Sequence, residues 1–316
     1  MTQREHEEQR HPSTGIGGEI GAILGDSTLN QKVTAPAILA RKGGPKIRMV
    51  TAYDYPSAVI ADRAGADVIL VGDSLSNVVL GNEDTLAVDL DVMIHHTAAV
   101  ARVRPNAMVL GDMPWMSYHV SAPDAVRNAG RLVREGGAEA VKVEGGRKRL
   151  DVIESILDAE IPVAGHLGLT PQSVHSMGGY RVQGKATQQA RDLIRDAVAL
   201  DDVGVFCIVL EGVPTLLAEI ITKEISAPTI GIGAGIHTDG QVLVFHDVLG
   251  LHDGHLPKFV RQYANLQETA VAALQDFFSD IEKGEFPSDD ESYSMTEEAA
   301  RALLSEEPQG DPFDAF

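Results

Sequence analysis

The sequence predicts an α/β protein whose parallel sheet closes into a (β/α)8 TIM barrel. Eight short aliphatic runs recur along the chain, at 47–52, 66–71, 107–110, 140–143, 161–164, 205–210, 229–232 and 242–245. Between most of them lie stretches compatible with helix, at 57–64, 89–103, 123–135, 149–159, 187–202 and 215–224. Near-continuous apolar strands alternating with helices indicate a parallel sheet covered on its outer face, and eight such units suit a closed barrel better than an open doubly wound sheet.

Length and composition agree with one barrel. The 316 residues are 44% hydrophobic, enough for a barrel of roughly 250 residues with terminal extensions. The 31 glycines and 15 prolines are scattered between the apolar runs rather than gathered in a linker, as expected of many short connections. The predicted organisation is a low-order N-terminal extension at 1–32, a catalytic barrel at 33–290 and an acidic tail at 291–316. From Asp280 onward there are twelve acids against Lys283 and Arg301, with Thr296 placed to cap a short helix.

A net charge of −20, from 46 acidic and 26 basic residues, repels phosphate backbones and anionic lipid surfaces. Nucleic-acid and membrane partners are therefore not expected. The acid excess reads equally as a solubilising surface or as adaptation to high salt. The single cysteine, Cys207, falls inside an apolar run, which excludes a disulfide framework and points to a reducing, cytoplasmic setting. There is no basic stretch followed by an apolar segment at the start, and no run of the 18 or so apolar residues that a membrane span needs.

Four of the apolar runs lead into an acid: Val71-Gly72-Asp73-Ser74, Leu110-Gly111-Asp112, Val143-Glu144 and Leu210-Glu211. In a (β/α)8 barrel the C-terminal strand ends meet on one rim, so these acids would face a shared cavity. Asp73, Asp112 and Glu144 are oxygen donors without a neighbouring cysteine or histidine pair. That chemistry suits Mg2+ or Mn2+ better than zinc. Any one of these acids alone would read as readily as a helix cap; four together favour a site.

Lys142 lies two residues before Glu144 and points to the same face of the strand. It can bind an anionic substrate or form a structural salt bridge, and spacing does not separate the two. His166 opens a Gly- and Pro-punctuated loop, His166-Leu167-Gly168-Leu169-Thr170-Pro171, where it could hydrogen-bond substrate or serve the structure. His95 and His96 are adjacent on a helix, point in different directions and are discounted as metal ligands. The run Gly231-Ile232-Gly233-Ala234-Gly235 is a weak nucleotide signal and reads better as a tight turn.

Longer motifs carry a resemblance. The segments Thr51-Ala52-Tyr53-Asp54, Val71-Gly72-Asp73-Ser74-Leu75, Val141-Lys142-Val143-Glu144-Gly145-Gly146 and Gly165-His166-Leu167-Gly168-Leu169-Thr170-Pro171-Gln172-Ser173 resemble those of ketopantoate hydroxymethyltransferases. So do Gly178-Gly179-Tyr180-Arg181-Val182-Gln183-Gly184, the Gly231 to Gly235 run, Thr238-Asp239-Gly240-Gln241, His246-Asp247 and Pro257-Lys258-Phe259. The likeness covers residues from about 33 to 290 and places the barrel in the phosphoenolpyruvate/pyruvate-like superfamily. It implies a cytoplasmic homo-oligomer, a decamer, that transfers a hydroxymethyl group from 5,10-methylenetetrahydrofolate to 3-methyl-2-oxobutanoate. The product would be 2-dehydropantoate, and the reaction the first step of pantothenate and coenzyme A biosynthesis.

The resemblance also implies roles by position. Asp73, Asp112 and Glu144 would hold one Mg2+ per subunit. Asp73, Ser74, Asp112, Lys142 and His166 would contact substrate, and Glu211 would be the base that removes the substrate's C3 proton to give a metal-stabilised enolate. Ser76-Asn77, Trp115 and Gly212 depart from the family's usual pattern and bear on pocket shape rather than on catalytic groups. The alternative enzyme reading is a Mg2+-dependent 2-oxo acid lyase of the isocitrate-lyase-like class, but the cysteine nucleophile motif expected there is absent. A barrel that binds without catalysis is the reading from another class, and the retained acids oppose it.

Overall fold

The protein is described from a computed structural model covering residues 31–251, 254 and 256–305. The predicted extension up to residue 30 and the tail beyond residue 305 lie outside the described residues. The strands are β1 (Ile47–Thr51), β2 (Val68–Val71), β3 (Met108–Asp112), β4 (Ala140–Glu144), β5 (Val163–Gly168), β6 (Cys207–Glu211), β7 (Thr229–Ile232) and β8 (Gly240–Leu243). Each pairs in parallel with the next, and β8 pairs with β1, so the sheet closes as a barrel in sequence order.

Period-two alternation divides the apolar residues between two cores. Ile69, Val71, Val109, Val141, Val143, Ile208 and Leu210 point outward and pack with residues of the surrounding helices, such as Ala129, Leu132, Ile153 and Leu200. Their strand neighbours Ile47, Met49, Val68, Leu70, Met108, Leu110, Ala140, Ala164, Cys207, Val209, Ile230 and Val242 fill the interior. The short helix Ala35–Leu39 adds Ala35 and Ile38 to that inner cluster. It follows Lys32 and Val33, which bond the carbonyls of residues 105–107 just before β3, at the N-terminal end of the barrel.

The helices Thr187–Asp202 and Thr215–Glu224 have the predicted bounds, and those at Leu90–Ala101, Ala122–Arg134 and Leu150–Asp158 lie within two residues of them. Side-chain caps mark two of these starts: Asp89 accepts from the Val92 amide and Ser121 from the Asp124 amide. Several strands run further toward their C-termini than hydrophobicity indicates. β5 reaches Gly168, so His166 is a strand residue and not the opening of a loop. Ladder pairing sets the strand end, and the polar residues there remain paired, Glu144 with His166 and Gly168 with Glu211.

Contacts divide the chain into two compact units, with residues up to Phe245 and Pro257–Val260 in the first. The second holds an 18-residue helix, Leu266–Lys283, begun by Asn265 and ended by Gly284 in the left-handed conformation, φ 70°. It also holds the helix Glu297–Ser305, with Thr296 accepting from the Ala299 amide as the sequence suggests. The longer helix was not foreseen; its start lies before the acid-rich stretch that marks the tail. Among the described residues, no helix is long and apolar enough to cross a membrane.

Asp67 clamps the entry of β1 to that of β2. Its buried carboxylate accepts from the Arg48 backbone amide at 2.8 Å and from the Arg48 guanidinium at 3.0 Å, and pairs with Arg41 at 2.8 Å. Burial pushes its pKa up, but the Arg48 and Arg41 hydrogen bonds outweigh that and hold it below the ordinary carboxylate range. With a folded pKa below the unfolded value of about 3.9, its contribution is complete above that value and lost as pH falls through the folded pKa. Asp67→Asn is expected to cost about 1–3 kcal/mol near neutral pH. Urea unfolding should show the gap from wild type closing as pH falls below about 4.

Candidate active site

The inward rows that build the inner core end in ionisable groups. Along β3 the inward residues are Met108, Leu110 and Asp112; along β4, Ala140, Lys142 and Glu144; along β5, Ala164 and His166; along β6, Cys207, Val209 and Glu211. Register places Asp112 beside Lys142 and Glu144 beside His166. Asp73 and Ser74 come from the turn between β2 and the short helix Leu75–Val78. All the predicted site residues thus meet at the C-terminal end of the barrel, where a (β/α)8 fold carries its chemistry.

Lys142 Nζ lies 2.9 Å from Asp112 Oδ1, 3.7 Å from Glu144 Oε1 and 3.1 Å from His166 Nδ1. His166 bridges two acids, with Nδ1 3.1 Å from Glu144 Oε1 and Nε2 3.3 Å from Glu211 Oε2. Burial and Lys142 push the imidazole pKa down, but the two flanking carboxylates prevail and lift it to about 9. In that doubly protonated state Nδ1 donates to Glu144, and the approach of Lys142 is a charge contact rather than a hydrogen bond.

The carboxylates differ. Burial and then repulsion from Asp112 and Glu144 push Asp73 well above the usual range, and burial, with repulsion from Glu144, also raises Asp112. Glu144 goes the other way: burial would raise it, but its hydrogen bond with His166 and the charge of Lys142 hold it low. Burial alone would lower the Lys142 pKa; the three acids around it raise it instead. Glu211, 16% exposed against 3% for Glu144, stands at the wetter edge of the group.

Four acids therefore face two cationic side chains. Among the described residues, no group of three or more histidine, cysteine or acidic side chains is already gathered at metal-holding spacing. The donor chemistry nevertheless fits a hard divalent cation: the candidate ligands are carboxylate oxygens with an excess of negative charge. In addition, Asp112 Oδ1 is buried and accepts no well-directed hydrogen bond despite the nearby Lys142. In this structure the Lys142 ammonium supplies the positive charge shared by Asp112 and Glu144.

Three residues at the site carry no charge pattern and were not singled out. Gln172, in the turn Pro171–Ser173 after β5, donates from its side chain to Asp73 and from its backbone to Glu144. Tyr118 donates to Gln172, and the Tyr53 hydroxyl lies 2.8 Å from Ser74 Oγ. The signal for Gln172 was its place six residues beyond His166 within one motif. Tyr53 likewise lies within the Thr51-Ala52-Tyr53-Asp54 motif, whereas Tyr118 is a single aromatic in a loop, which periodicity does not mark.

The discounted features stay outside this group. His96 Nδ1 lies 2.6 Å from the Tyr53 carbonyl oxygen, and the His95 and His96 rings meet edge to face. Side chains press on the Gly231 to Gly235 run: a Cβ at Gly233 would sit 2.7 Å from Phe259 and one at Gly235 2.5 Å from Thr215. This is the close packing of a tight turn. Gly212, a departure from the family pattern, has φ +54°, a conformation that favours glycine directly after Glu211.

A closed parallel barrel with convergent ionisable side chains at its C-terminal rim defines a (β/α)8-barrel enzyme. A family model described as ketopantoate hydroxymethyltransferase matches residues 32–289. The chain belongs to that family, and it is a hydroxymethyltransferase. The 3-methyl-2-oxobutanoate hydroxymethyltransferase of Syntrophomonas wolfei is 56% identical over 263 residues, 83% of this chain and 95% of the relative. That of Moorella thermoacetica is 55% identical over 263 residues, 83% of this chain and 98% of its own.

Among solved structures, a phosphonopyruvate hydrolase superposes with a TM-score of 0.54 at 13% identity, covering 86% of this chain and 95% of its own. A 2,3-dimethylmalate lyase of the PEP mutase/isocitrate lyase superfamily gives 0.52 at 16% identity, with the same coverage. At such identities the likeness concerns the fold alone.

Lys142→Met removes the ammonium and leaves its acids buried without it. Breaking a buried pair in this way costs about 3–5 kcal/mol. Chemical denaturation in the presence of a chelator should show a loss of that size relative to wild type.

Proposed function

We propose that this chain transfers a hydroxymethyl group from 5,10-methylenetetrahydrofolate to 3-methyl-2-oxobutanoate, giving 2-dehydropantoate at the start of pantothenate and coenzyme A biosynthesis. The observation that carries this reading is the pairing of Glu211 with His166 at 3.3 Å, beside the buried Asp73, Asp112 and Glu144. A carboxylate at the wetter edge stands ready to take a proton, while the deeper acids can hold one Mg2+. When bound there, the ion would draw electron density from the keto oxygen and carboxylate of the substrate and so acidify its C3 hydrogen.

The side chains divide the remaining work. Asp73, Asp112 and Glu144 are the proposed metal ligands. Lys142 and His166 offset the negative charge that substrate brings into the barrel, and Ser74, fixed by Tyr53, contacts the substrate alongside Asp73. Glu211 removes the C3 proton, and His166 beside it stabilises and orients the carboxylate. The resulting enolate uses its C3 electron pair to form the carbon–carbon bond to the one-carbon unit. Water supplies the hydroxyl oxygen, and tetrahydrofolate leaves with the C3 proton and one proton of that water on its two freed nitrogens.

We further place the protein in the cytoplasm as a homo-oligomer, a decamer by family resemblance, without nucleic-acid or membrane partners. The competing lyase reading calls for a cysteine nucleophile. Cys207 is the only cysteine in the chain; it is packed inside the barrel, and burial pushes its thiol pKa up. Buried in this way, it is unsuited to the part.

The test follows the C3 proton of 3-methyl-2-oxobutanoate by NMR in D2O, with Mg2+ and without any one-carbon donor. Wild type should exchange that proton, and Glu211→Gln should slow the exchange by roughly 100-fold or more. Undiminished exchange by the variant would remove Glu211 from the role of base. Absence of exchange by folded, metal-supplied wild type would overturn the enolisation chemistry itself.

A further inference from the structure

Gln172 is a neutral residue, 5% exposed, whose polar side chain is fully committed among charged groups. Its Nε2 donates to Asp73 Oδ2 at 2.8 Å and to the Met113 carbonyl at 2.9 Å. Its Oε1 accepts from the Tyr118 hydroxyl at 2.5 Å, and its backbone amide donates to Glu144 Oε2 at 3.1 Å. One residue after β5 therefore holds an acid from the β2 turn and an acid at the end of β4.

The amide has one workable orientation. The Met113 carbonyl can only accept, and the Tyr118 hydroxyl is the donor to the other side of the amide. Turning the amide over would set its oxygen against the Met113 carbonyl and the Asp73 carboxylate. Tyr118 is itself fixed: its ring lies 5.6 Å from the Arg149 guanidinium carbon, and Asn128 donates to the carbonyl of the preceding Ser117 at 2.7 Å.

We propose that Gln172, locked by Tyr118, is a positioning residue that sets the directions of the Asp73 and Glu144 carboxylates toward the divalent ion. The inference rests on the metal reading given above. It gives Gln172 the duty of holding an acid of the turn after β2 and an acid at the end of β4 in one arrangement, although their mutual repulsion favours their turning apart. A residue serving only as a packing tie would affect stability and leave ion affinity alone.

The experiment compares full-length wild type with Gln172→Met and Tyr118→Phe, using free Mn2+ measured by electron paramagnetic resonance as the probe. Thermal melting and the separate values of kcat and KM are recorded alongside. Loss of an outer-shell partner typically weakens metal binding by roughly 10–100-fold, and Gln172→Met should show a loss of that order with lower kcat. Tyr118→Phe, which keeps the ring and removes only the hydroxyl, should shift Mn2+ affinity in the same direction by a smaller factor, with melting little changed. Wild-type Mn2+ affinity in folded Gln172→Met would overturn the inference while leaving the metal reading intact. Should that variant not fold, wild-type affinity in Tyr118→Phe would overturn it instead. Wild type that binds no Mn2+ would overturn the metal reading and this inference together.

Discussion

The Lys142 ammonium sits 2.9 Å from Asp112 and 3.7 Å from Glu144, inside a barrel whose lower layers are hydrocarbon. Water cannot solvate these groups, so each charge must be met by another charge or by a hydrogen bond. Lys142 meets two of them directly. The remainder falls to His166, which reaches Glu144 with one nitrogen and Glu211 with the other, and to the amides of Gln172 and Asp73. The polar end of the barrel is thus one connected system of compensation.

The barrel makes this system possible through register. In β4 an alternation of two puts Ala140, Lys142 and Glu144 in a single inward row, while Val141 and Val143 point to the helices. Closure then brings rows from neighbouring strands level with each other, so Asp112 meets Lys142 and Glu144 meets His166. A one-residue slip in any of these strands would send the ionisable groups into the helix-facing core. At the edge of the system, Gly168 has φ +95°, and a Cβ there would lie 2.2 Å from the Glu211 carbonyl oxygen. Only glycine lets β5 and β6 approach closely enough for Glu211 to stand beside His166.

Much of this was legible because charge and period are properties of the sequence itself. Eight apolar runs marked the strands, and acids at the ends of four of them marked the rim. The strand ends were less visible: pairing continues through polar residues such as His166, and hydrophobicity does not report it. The bonding roles of Gln172 and Tyr118 were silent for a related reason. Their importance lies in which donor meets which acceptor, a property of approach in space that a neutral amide or a lone tyrosine does not announce. The helix Leu266–Lys283 has an apolar side, including Val271, Leu274, Phe278 and Ile281, but none of its residues is buried in the chain as described.

The site has a gradient of polarity, and in the proposed mechanism that gradient separates metal holding from proton abstraction. Asp73 and Asp112 lie deep, where burial disfavours their charged forms, so a cation that restores their ionisation gains from both. Glu144, paired with His166 and Lys142, keeps its charge without such help. Glu211 meets this system at His166 and remains partly exposed. A base placed among the deepest acids would compete with them for the same cation. The proposed base stands instead at the wetter edge, beside an imidazole that also braces Glu144, so that its exchange with substrate would leave the charges behind it fixed.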